Sequence, residues 1–128
     1  MNPENDIAAA YDAFPKDVRN VLLELRRLIL TTAIDTKEVS AVTEALKWGQ
    51  PSYLTKTGTT IRLGRDKASG RPAIFVHCQT SLVGEFRDMF PGVFDFQGNR
   101  AVILKDDVGS VIKPLQLCIS AALTYHQR

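Results

Sequence analysis

No two glycines in the sequence lie closer than six residues apart. That spacing excludes the Gly-x-Gly-x-x-Gly turn of dinucleotide-binding folds and a phosphate-cradling loop ending in Gly-Lys-Ser/Thr. A Gly-x-Ser-x-Gly elbow, a His-Glu-x-x-His helix and a Cys-x-x-Cys pair are also missing, and with them the common hydrolase, zinc-protease and dithiol chemistries. No apolar run approaches the roughly 20 residues of a membrane-crossing helix. The opening Met1-Asn2-Pro3-Glu4-Asn5-Asp6 has neither the basic nor the apolar part of a secretory signal. These absences set the expectation of a cytoplasmic protein with no membrane partner, no cofactor and no bound metal, in which catalysis is not the favoured role.

What is present describes one domain spanning residues 1–128. A content of 45% hydrophobic and 23% charged residues allows a chain of this length to bury a core without disulfides or metals. Net charge is only +2, but its layout is uneven. From Met1 to Leu46 eight acidic residues face five basic ones, whereas Lys47 to Arg71 carries six basic residues against Asp66 alone. A positive middle segment hints at an anionic partner.

Asn2 and Pro3 predict the start of a short helix carrying Ile7, Ala10, Tyr11 and Phe14. Pro15 opens a second, in which Val18, Val21, Leu22, Leu25, Leu28 and Ile29 recur on one face. After Asp35 the pattern changes to short period-two segments punctuated by glycine and proline, the signature of an antiparallel sheet. Thr59 to Arg65 and Pro72 to Cys78 form one expected hairpin, and Val93 to Phe96 with Ala101 to Leu104 form another. Between them Ser81 caps a short helix, and Val111 to Leu123 describes a closing one, with Pro114 tolerable only in its first turn or as a kink. The expected fold is α+β: a single twisted antiparallel sheet, one face packed by the N-terminal and C-terminal helices, with one short inserted helix.

Strand parity nominates a site. If Ile61, Leu63, Ile74, Val76 and Cys78 face the helices, then Arg62, Phe75 and His77 point the other way. Cys78 is accordingly expected in the core. The densest unusual stretch, Lys47-Trp48-Gly49-Gln50-Pro51-Ser52-Tyr53, holds the only tryptophan. Its ring is expected to be mostly buried at a strand-turn junction, and with Tyr53 to wall a pocket beside Lys47. His77 and Cys78 cannot easily share a metal, because neighbours on a strand face opposite ways. Asp106 and Asp107 read as helix-start residues and His126 as a helix-end residue.

The Lys47 to Tyr53 stretch, the strand Ile74-Phe75-Val76 and the ending Ala121-Ala122-Leu123-Thr124-Tyr125-His126 together resemble the YdhG-like family, domain of unknown function 1801. The resemblance covers nearly the whole chain from Pro15 onward. It implies a compact α+β fold, and some members carry an iron-chaperone label by similarity to frataxin. Frataxin-like iron binding uses an acidic ridge, for which Glu4, Asp6, Asp12 and Asp17 are the candidates in this chain. The family supplies no established catalytic residues.

The expected function is therefore binding of a small molecule, an organic anion, or of a partner on the open sheet face. The residues expected to carry it are Lys47, Trp48, Tyr53, Arg62, Phe75 and His77. A frataxin-like metal carrier and a weak nucleic-acid accessory protein using Lys47 to Arg71 are the alternatives, and self-association into a homo-oligomer is left open.

Overall fold

A computed structural model describes residues 3–128. The Asn2 cap expected before the first helix lies outside the described residues, as does the side chain of Glu4. Helix α1 (Pro3–Asp12) ends ahead of Pro15, which disfavours helical backbone in the residue before it. The Arg19 guanidinium closes the junction by donating to the carbonyls of Asp12 and Phe14 at 3.2 and 3.0 Å. Helix α2 (Lys16–Asp35) then runs for 20 residues, about 30 Å. It buries Val18, Leu22, Leu25, Leu28 and Ile29, the face that the periodicity marks.

Six strands follow, β1 (Thr43–Lys47), β2 (Gln50–Leu54), β3 (Ile61–Arg65), β4 (Pro72–Phe75), β5 (Phe94–Gln97) and β6 (Ala101–Leu104). Helix α3 (Leu82–Met89) is inserted between β4 and β5, and α4 (Ile112–Leu123) closes the chain after a 3-10 turn at Val108–Val111. The sheet order is β1-β2-β3-β4-β6-β5, antiparallel throughout, so β4 pairs with β6 rather than with its neighbour in sequence. The fold is α+β, as the sequence pattern indicates. Buried residues of all four helices join one core cluster with Tyr53, Ile61, Leu63 and Ile74 of the sheet and with Val76 just after β4.

Four local expectations need correction. The strand after Pro72 stops at Phe75, so parity no longer governs Cys78, which is exposed rather than in the core. Ser81 precedes α3 but makes no side-chain cap; its hydroxyl bonds Glu85 instead. His126 sits in a 3-10 turn beyond α4 and is exposed, with its backbone N–H given to the Thr57 carbonyl at 2.8 Å. Trp48 is 92% exposed, not buried. It occupies the first position of the two-residue β1–β2 turn with φ 56°, followed by Gly49 with φ 75°. Two left-handed residues in succession form the turn whose twist matches a hairpin, and this geometry throws the indole outward.

Candidate functional site

The sheet face away from the helices carries a second, smaller apolar cluster of Ala73, Phe75, Ala101 and Ile103. None is more than 5% exposed, although no helical residue belongs to this cluster. Register aligns Ser52 with Arg62, Arg62 with Phe75 and Phe75 with Ala101, a row across four strands. Long polar side chains roof the row. The Arg100 guanidinium lies 5.7 Å from the centre of the Phe75 ring, close enough for cation–π attraction. Its backbone is held beside the end of β4 by the Val76 N–H, which donates to the Arg100 carbonyl at 2.9 Å.

Arg62 is half-buried, and burial, followed by repulsion from Arg100, lowers its pKa from the ordinary arginine value. Starting so high, it stays protonated at neutral pH. Among the described residues the ion pairs are Arg26 with Glu44, Arg71 with Asp95 and Arg128 with Glu85. Arg62 and Arg100 belong to none of them. Two guanidiniums thus repel each other over an apolar floor, in no ion pair with a carboxylate of the described residues.

Of the six residues nominated from sequence, Arg62 and Phe75 come together on this face. Lys47 lies on the same face at the edge, opposite Gln50, and is exposed. His77 falls past the end of β4; its ring Nδ1 accepts the Gln79 N–H at 3.1 Å, so it belongs to the turn toward α3. Trp48 stands at the hairpin tip. Tyr53 is fully buried on the helix side, because it directly follows Ser52 and successive residues of a strand face opposite ways. Arg100 takes the place these residues leave. Sequence reasoning left it in a turn, since only the non-local pairing of β4 with β6 brings it to Phe75.

Tyr53 instead sits within a polar chain that runs from Tyr11 through Tyr53 and Glu44 to Arg26. Its hydroxyl donates to Glu44 Oε2 at 2.6 Å and accepts from the Tyr11 hydroxyl at 2.5 Å. Glu44 also receives Arg26 Nε at 2.5 Å and Nη2 at 3.1 Å. Burial pushes the Tyr11 hydroxyl up to about 12, and burial with the bond to Glu44 raises that of Tyr53. The Arg26 bond holds Glu44 below the usual carboxylate value. None of the three shifts brings a pKa toward neutral pH, so the chain is suited to fastening α1 and α2 to β1 and β2 rather than to proton transfer. It borders a cleft of about 470 Å³ lined by Ile7, Leu23 and Asp12 among others.

A pH dependence follows. Because the folded pKa of Glu44 is depressed, its contribution to stability is complete above about pH 4.5 and drains away as pH falls through the lower folded value. Acid titration of unfolding free energy should give a shallower fall below about pH 4.5 for Glu44→Gln than for the wild type. Equal slopes would show that Glu44 is not linked to folding.

Among the described residues no three His, Cys, Asp or Glu side chains gather where they could hold a metal. Nor is any helix among them long and apolar enough to cross a membrane. No family profile, curated protein or solved structure matches the chain.

Proposed function

We propose that this is a cytoplasmic binding module for a small organic anion, held on the open sheet face by Arg62 and Arg100 above Phe75. The observation that carries the reading is the pair of guanidiniums without carboxylate partners among the described residues, set over an apolar floor in a helix-free face. A carboxylate between them removes their mutual repulsion and receives charge-assisted, bidentate hydrogen bonds. Because Phe75, Ala101 and Ile103 are at most 5% exposed, the flat remainder of such a ligand reaches the Phe75 ring as the Arg100 side chain swings off it to meet the carboxylate. No cofactor is required.

Calorimetric titration with benzoate, phenylacetate and an indole carboxylate tests the reading. At least one should bind saturably, and Arg62→Gln should weaken it roughly 10- to 100-fold, the loss expected for a charge-assisted pair. Unaltered affinity in Arg62→Gln, or no saturable binding of any of the three, would overturn it.

A further inference from the structure

Trp48 is the only tryptophan, and it is almost wholly exposed on a turn whose first position normally goes to asparagine, aspartate or glycine. Its backbone lies in the left-handed region at φ 56°, where a bulky residue is strained. A Cβ added to Gly49 would meet nothing within 4 Å, so the tip projects free of the rest of the fold. Strain and exposure of a large apolar ring together have no explanation in folding. Such outliers are found where a contact outside the chain is made.

The charge around the tip identifies the contact. Lys47 precedes it and is exposed. The β2–β3 register, continued from Ser52 opposite Arg62, sets Gln50 beside Gly64, where the Gln50 amide lies 2.7 Å from the site of a Cβ. One step further brings the hairpin tip level with Arg65, and Lys67 lies in the turn that follows. Arg65 and Lys67 are both exposed, and none of these three cations belongs to an ion pair among the described residues. The carboxylates on the hairpin's own strand and after β3 are engaged: Glu44 by Arg26 at 2.5 Å, and Asp66 by the Ser69 hydroxyl and N–H at 2.6 and 2.9 Å. Asp106 and Asp107 reach the same end of the sheet only after β6, two strands beyond β3.

We propose that the Trp48 hairpin docks the protein reversibly on the surface of an anionic phospholipid membrane. A rigid partner needs a socket cut for the indole, and a nucleic-acid strand needs a groove to follow, which a projecting tip does not offer. A fluid interface closes around the ring unaided, and the headgroup layer is where tryptophan settles. The negative lipid surface attracts each nearby lysine and arginine. The contact involves no crossing of the bilayer.

As the sole tryptophan, Trp48 reports on its own surroundings. With vesicles of mixed phosphatidylserine and phosphatidylcholine at low salt, its emission should shift to the blue and the protein should sediment with the vesicles. Phosphatidylcholine alone should give neither. Lys47→Ala should weaken the association about fivefold. Trp48→Gly, which suits the left-handed turn and should melt no lower than the wild type, should reduce cosedimentation more than about tenfold. The proposal is overturned by no emission shift with the mixed vesicles, by equal binding to phosphatidylcholine alone, or by undiminished cosedimentation of Trp48→Gly. A single-stranded oligonucleotide that shifts the emission where vesicles do not would assign the hairpin to nucleic acid instead.

Discussion

Gly58→Ala should lower stability by about 3 kcal/mol, at the upper end of what overpacking usually costs. The added Cβ would stand 2.2 Å from the Ala122 carbonyl oxygen and 2.4 Å from the carbonyl carbon and oxygen of Leu123. All three are backbone atoms, so no side chain can swing aside. The β2–β3 loop must also stay close, because it satisfies the end of α4. The Thr59 N–H donates to the Ala122 carbonyl at 2.9 Å and the Thr57 hydroxyl to that of Leu123 at 2.7 Å. These are carbonyls that a helix end leaves without an internal partner. Urea denaturation measures the loss. A change below about 1 kcal/mol with unaltered dependence on urea would mean that the loop can retreat without losing its grip on α4.

Tyr53→Ala is expected to cost about 4 kcal/mol, since a fully buried aromatic ring leaves a cavity among α1, α2 and the sheet. Tyr53→Phe isolates the hydroxyl. The ring still fills its space, but Tyr11 loses its acceptor and Glu44 one of its donors, at about 2 kcal/mol. A double-mutant cycle with Tyr11→Phe should show coupling, because the second hydroxyl no longer matters once the first is gone. Additive losses would mean that the two hydroxyls do not act as one chain.

The helical half of this architecture was readable from periodicity, as the buried face of α2 shows. Parity also sorted β3 and β4 correctly: Ile61, Leu63 and Ile74 face the helices, with Val76 just past β4 in the same core, and Arg62 and Phe75 do not. It misled where it was carried past a strand end, as for His77 and Cys78. Trp48 and Tyr53 look like one motif in sequence, yet a turn and a strand send their rings to different surroundings, one to the tip and one to the core. The β1–β2 hairpin itself was hidden because its tight turn holds tryptophan where asparagine would have announced it. Contacts across long stretches of chain left no local signal. The Tyr11 and Tyr53 hydroxyls meet across 42 residues, and Arg100 reaches Phe75 only through the pairing of β4 with β6.

The central claim, that Arg62 and Arg100 hold an organic anion over Phe75, is tested most directly by mapping where a ligand sits. Amide and side-chain NMR shifts should be followed while benzoate or a larger aromatic carboxylate is titrated into the isotope-labelled protein. The account expects saturable changes centred on Arg62, Phe75, Arg100 and Ala101, with Ile103 methyl groups shifted by the ring. Saturable changes gathered instead at Ile7, Tyr11 and Leu23, around the cleft between α1 and α2, would contradict it.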